Sequence, residues 1–232
     1  MYNLSSSNKP LVERLIITIQ SLACDNNSSK IPKIVFLGRK AAGKTTLINA
    51  VFGYRVKSED TTYWNTFRSP DGNYVEIFDY IGFQDASLGG NQNNHFDILE
   101  QGIRLKQPDI FCLIIKAKEV NAAIKEDINC MEHVVDFSRA IYNVRTPVII
   151  IVSQCDELDP PYIKTFEDRI SYPQEWEEKL ENINKAVELV YEQTKYRTKL
   201  YLSIIDIIPV ASYTRMHYKN GTADTSFQWN IR

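Results

Sequence analysis

The stretch Gly38-Arg39-Lys40-Ala41-Ala42-Gly43-Lys44-Thr45 constrains this chain more than any other. It fits the pattern GxxxxGK[ST]. Before it stands Ile34-Val35-Phe36-Leu37, a short apolar, β-branched run that reads as a buried strand; after it, Thr46 to Phe52 reads as a helix. Strand, glycine loop and helix together turn the string into a phosphate site. Successive backbone N–H groups in such a loop, and at the helix N-terminus behind it, converge on one point and favour an anion there. Gly38 and Gly43 permit backbone angles and close approaches that a Cβ would block. Lys44 is spaced to reach β- and γ-phosphates, and Thr45 to offer its hydroxyl to Mg²⁺. Lys40, Ala41, Ala42 and Thr46 complete the cradle, with Lys40 on phosphate, on a partner or, the simpler reading, in solvent.

Composition narrows the class. The 232 residues suit one α/β domain with extensions. A net charge of −2 gives no nucleic-acid platform and no polybasic anchor, so no DNA partner is expected, while RNA binding through a local patch stays open. Cys24, Cys112, Cys130 and Cys155 are far apart, without the spacing of a zinc site or a disulfide framework. Met1 to Lys9 is polar and has no signal-peptide core. No apolar run approaches the ~20 residues of a membrane span. These features point to a reducing cytoplasm.

Along the chain, residues 1–30 read as a polar tail and an amphipathic helix, with Leu11, Val12, Leu15, Ile16, Ile19, Leu22 and Ala23 at helical spacing. Residues 62–79 read as a β-hairpin around the turn signal Ser69-Pro70-Asp71-Gly72-Asn73. A glycine-containing stretch, 83–94, separates it from a helix over 95–106. A strand at 110–115, a helix at 121–143, a strand at 148–152, a loop at 158–173, a helix at 174–195 and a strand at 204–210 follow. Val148-Ile149-Ile150-Ile151-Val152 is an unbroken β-branched run, the signature of a central parallel strand. The alternation predicts a three-layer α/β sandwich around a mostly parallel six-stranded sheet with one antiparallel edge hairpin. Gly38, Asp79, Ser153 to Asp156, and Ala211-Ser212 all fall at the carboxyl ends of strands, where such sheets bind ligands.

With these residues in order, the chain resembles the P-loop GTPases of the Ras-like fold, nearest to Era-like and 50S-ribosome-binding types. Immunity-related and dynamin-type GTPases are more distant candidates. The resemblance spans residues 31–212, the expected GTPase domain. It implies that Thr62, or failing it Thr61, closes over Mg²⁺ and the γ-phosphate. It implies that Asp79 of Asp79-x-x-Gly82 holds Mg²⁺ through a water, and that the Gly82 N–H meets the γ-phosphate. Lys44, Thr62 and Gly82 are thus the expected catalytic set, and Thr45, Thr62 and Asp79 the expected metal set. Ser153-Gln154-Cys155-Asp156 stands where the family carries [NT]KxD, and a carboxylate at Asp156 accepts hydrogen bonds from guanine N1 and N2. Ser153 and Gln154 depart from the usual residues, with loss of a charge at Gln154. Ala211-Ser212 matches the family's last loop, whose backbone N–H meets guanine O6.

Two departures bear on turnover. Phe83 follows Gly82 where Ras-like enzymes carry the glutamine that orients the attacking water. Ala41 stands where members that use a potassium ion carry asparagine. The expectation is a switch, moving Thr61 to Asn94, with slow GTP hydrolysis stimulated by an unknown protein partner or by a homodimer through the switch face. The rivals are a P-loop ATPase and a nucleotide-binding scaffold without turnover. Residues 213–232 read as a polar loop, with a turn signal at Lys219-Asn220-Gly221-Thr222, and then the start of a helix. The expectation there is a truncated C-terminal helix, with RNA, ribosome or membrane contact left to a missing region beyond it.

Overall fold

A computed structural model of the chain describes residues 31–52, 64–68, 74–80, 92–163, 168–201, 203–210, 217–219 and 222–224. The expected helix at 11–23, Thr61, Thr62, Gly82, Phe83, Ala211 and Ser212 lie outside the described residues.

The strands are β1 (Lys33–Gly38), β2 (Trp64–Arg68), β3 (Tyr74–Asp79), β4 (Ile110–Lys116), β5 (Val148–Ser153) and β6 (Ile204–Pro209). They form one sheet in the order β2-β3-β1-β4-β5-β6. Every neighbouring pair is parallel except β2 with β3, the edge hairpin. Alternate side chains serve opposite faces, as strand geometry requires. On one face, Ile34 and Phe36 of β1 join Ile110, Cys112 and Ile114 of β4 and Ile149 and Ile151 of β5. Leu47 and Ile48 of helix α1 (Lys44–Phe52) cover that layer. The other face carries Val35, Leu37, Phe111, Leu113, Ile115, Val148, Ile150 and Val152. It is covered by α2 (Gln92–Leu105), α3 (Val120–Tyr142) and α5 (Pro173–Lys195). The three-layer sandwich follows directly, because central strands buried on both faces need helices on both.

Two short helices flank α5: α4 (Asp168–Ser171), inside the stretch 158–173 expected to be a loop, and α6 (Thr198–Tyr201), in the connection to β6. The turn signal at 219–222 separates β7 (His217–Lys219) from β8 (Thr222–Asp224), paired antiparallel with Lys219 opposite Thr222. The expected turn signal thus joins two short strands, as Asn-Gly between strands favours. Trp64 packs its ring 5.5 Å from that of Phe78 and donates from Nε1 to the Gly102 carbonyl at 3.0 Å. Phe67 is buried in the α1-side layer. Both aromatics are sheet packing. No helix among the described residues is long and apolar enough to cross a membrane.

Candidate functional site

The chain leaves β1 for β3 on one side and β4 on the other, so strand order reverses at β1. Ligands of open α/β sheets bind at such a switch point, beyond the strand carboxyl ends. The phosphate loop occupies it. Gly38 has φ +140°, and a Cβ built on it would stand 2.3 Å from the backbone oxygen of Ile114. Only glycine lets β1 turn out of the sheet that close to β4. Gly43 has φ +90°, and Ala41, at φ 59°, takes the left-handed region without being glycine. Ala42 is buried, while Lys40, Ala41 and Thr46 are exposed. The Lys44 ammonium donates to the carbonyls of Gly38 at 3.0 Å and Arg39 at 2.8 Å. It is thereby held against the mouth of the loop.

The Thr45 hydroxyl donates to Asp79 Oδ2 at 2.9 Å. Asp79 is 4% exposed, and its Oδ1 has no hydrogen-bond partner among the described residues. Burial raises its pKa, and this outweighs the opposing effects of the Thr45 bond and the Lys44 charge. A buried carboxylate oxygen left without a donor is costly, and a cation or a cation's water would relieve it. The donor set suits Mg²⁺, a hard ion that commonly takes one or two protein oxygens and fills its other positions with water and phosphate. No cluster of three or more His, Cys, Asp or Glu that could hold a metal occurs among the described residues. The pair therefore fits a metal brought with phosphates better than a self-sufficient cage.

The second half of the site lies at the end of β5. Ser153 is buried, and its hydroxyl donates to the Ala42 carbonyl at 2.8 Å, with the Ile115 carbonyl at 3.3 Å. Gln154, at φ 58°, donates from Nε2 to the Ala41 carbonyl at 2.9 Å. Both side chains thus brace the phosphate loop from the neighbouring strand end. The partners lie 111 and 113 residues apart in sequence, so this bracing carries no local signal. Asp156 follows in a 3₁₀ turn, Cys155–Glu157, and is 6% exposed. The Cys155 N–H donates to the Val210 carbonyl at 3.0 Å, and the Val210 N–H to the Val152 carbonyl at 2.7 Å. The end of β6 therefore runs beside this turn, immediately before Ala211 and Ser212.

Two further groups had no signal that a surface-or-core reading of single residues would catch. Arg39 bonds Asp127 at 2.8 Å and Glu126 at 2.8 Å, tying the phosphate loop to α3. Burial pushes the Asp127 carboxyl up, with Arg39 opposing. Lys179 of α5 is fully buried near the Asp156 turn.

A family model described as 50S ribosome-binding GTPase matches residues 33–154, just over half of the chain. This protein belongs to that family. A curated relative, GTPase Der of Acidithiobacillus ferrooxidans, is 25% identical over 186 residues, covering 77% of this chain and 38% of that protein. The chain thus spans well under half the length of the curated relatives it matches. Among solved structures, Toc33 from Arabidopsis thaliana in complex with GDP and Mg²⁺ is similar at a TM-score of 0.54 and 14% identity, over 92% of this chain and 84% of that one. A complex of SsGBP with GDP gives 0.53 and 18%, over 88% of this chain and 53% of that one. At those identities the likeness is one of fold. Family membership agrees with the six-stranded, mostly parallel architecture and with the phosphate loop at its switch point.

Proposed function

We propose that the chain is a guanine-nucleotide-binding switch of the cytoplasm that hydrolyses GTP slowly to GDP and phosphate. A protein partner or a second copy through the switch face accelerates the step. The observation that carries this reading is the physical joining of two strand ends. Ser153 and Gln154 bond the carbonyls of Ala42 and Ala41, so the turn bearing Asp156 and the loop bearing Lys44 keep a fixed relation. A ligand with phosphates at one end and a guanine at the other matches that pair of chemistries.

Each residue has a role in the reading. Backbone N–H groups from Gly38 to Thr46 cradle phosphate, and Lys44 balances charge on the β- and γ-phosphates. Mg²⁺, when bound, neutralises further phosphate charge; Thr45 would ligate it and Asp79 would hold one of its waters. Asp156 accepts from guanine N1 and N2, a donor pair that adenine lacks. Thr62, Gly82, Ala211 and Ser212 keep the roles implied by the resemblance. Slow turnover follows from Phe83, which cannot orient water, and from Ala41, whose side chain cannot ligate potassium. Self-association draws support from a fold relative, since one Toc33 structure is of a dimerization-deficient mutant. A ribosomal partner is suggested by the family's description.

Titration with GTP, GDP and ATP tests the base, with Asp156→Asn as control. Equal affinity for ATP would favour the ATPase alternative. Single-turnover phosphate release tests the chemistry, with Lys44→Ala as control. No release above the Lys44→Ala level would leave a binding scaffold.

A further inference from the structure

Helix α5 buries a stripe made of Trp176, Lys179, Ile183, Ala186, Val190 and Thr194. The spacing is that of a core-facing helix, and a lysine takes one of its positions. Lys179 is 0% exposed. Burial lowers its pKa, with the nearby Asp156 opposing. A buried ammonium is tolerated only when its donors are met. Here the Nζ donates to the carbonyl of Asp156 at 2.7 Å, to that of Pro160 at 3.2 Å, and to that of Leu158 between them. Its partners among the described residues are all main-chain oxygens, taken from alternate residues of one segment. The segment 156–160 is therefore wound around a single cation. One turn further along α5, Asn182 donates from Nδ2 to the Asp159 carbonyl at 3.0 Å.

These ties are separate from those that brace the phosphate loop. The latter come from Ser153 and Gln154 and do not involve α5. Two sets of ties thus meet at the end of β5, one reaching the phosphate loop and one reaching the segment 156–160.

We propose that Lys179 is a positioning residue for base recognition, which fixes Asp156 by holding the 156–160 segment closed on α5. The proposal rests on the reading of Asp156 as the group that meets guanine. It requires that loss of Lys179 erode discrimination between bases and spare phosphate binding. A merely structural lysine would lower stability and leave the discrimination alone.

The test is calorimetric titration of GDP and ADP into the full chain, with folding checked by circular dichroism. The variants are Lys179→Met, Asn182→Ala, Asp156→Asn and the double variant Lys179→Met with Asp156→Asn. The GDP-to-ADP affinity ratio is expected to fall about tenfold in Lys179→Met, the worth of one good hydrogen bond, with ADP affinity held to within about threefold. Asn182 is only partly buried, so Asn182→Ala keeps the test alive if Lys179→Met does not fold; its ratio is expected to fall about threefold. Adding Lys179→Met to Asp156→Asn should change the ratio no further, because the group it positions is gone. A folded Lys179→Met or Asn182→Ala that keeps the wild-type ratio overturns the proposal. So does a further fall in the double variant. If the wild type itself does not prefer GDP, the base reading fails first. If it does, and Asp156→Asn abolishes the preference while folded Lys179→Met and Asn182→Ala keep it, the base reading stands and only the role of Lys179 fails.

Discussion

Replacing Asp79 by asparagine should stabilise the nucleotide-free protein and weaken the nucleotide-bound one. The carboxylate is 4% exposed, with one oxygen on the Thr45 hydroxyl and the other without a donor among the described residues. An unsatisfied buried oxygen costs about 1–3 kcal/mol, more when charged. Asparagine keeps an acceptor for Thr45 and removes the charge, but its amide still lacks a partner. Only part of the cost is recovered, about 1 kcal/mol, which raises the melting temperature by ~2–4 °C in a domain of this size. With Mg²⁺ and GDP the order reverses. A ligand at a hundredfold excess over its dissociation constant adds about 2.7 kcal/mol to the wild type, and a variant that holds the metal's water poorly gains less. The pH dependence has a definite sign. The folded pKa of Asp79 lies above its ordinary 3.8, so the folded state binds the extra proton. The wild-type disadvantage is absent below pH 3.8, grows as pH rises through the folded pKa, and is flat above it. Urea denaturation with and without Mg²⁺ and GDP, across that pH range, measures all of this. A nucleotide-free Asp79→Asn less stable than wild type at neutral pH would refute the reasoning.

Gly38→Ala places a methyl group 2.3 Å from the Ile114 oxygen at φ +140°, and a loss of roughly 3 kcal/mol or more in urea denaturation is expected. Ser153→Ala strips the donor from the Ala42 carbonyl, so stability should fall by about 1–3 kcal/mol and GDP affinity, by calorimetry, about tenfold. Arg39→Ala leaves Asp127 buried without its guanidinium. A loss of about 2 kcal/mol is expected in chemical denaturation, and adding Asp127→Asn should recover most of it.

Much of this was legible in the residues. Val148 to Val152 could only be a strand buried on both faces, and β5 is buried throughout. The phosphate loop was readable because its function depends on main-chain geometry that two glycines and flanking elements announce. Interior cations were not readable. Lys179 sits in a stripe with Trp176 and Ile183, but a lysine at such a position is ordinarily taken for solvent-facing, and the carbonyls that satisfy it lie 19–23 residues away. The bond made by Ser153 was hidden for a related reason: its partner, Ala42, lies 111 residues earlier and is known only from the fold. Helices α4 and α6, four residues each, are too short to carry a hydrophobic period.

The contact at Gly38 has one more consequence. Its neighbour on β4 is the main-chain oxygen of Ile114, not a side chain. The side chain at 114 points into the buried layer beneath α1 and is held by that packing, while the glycine depends on the peptide unit alone. An inserted or deleted residue in β4 is another matter. Even one that kept the hydrophobic pattern would slide a different peptide unit under the glycine and misalign the mouth of the site. Lineages carrying this loop should exchange one apolar residue for another in β4 and hardly vary at all in how long it is.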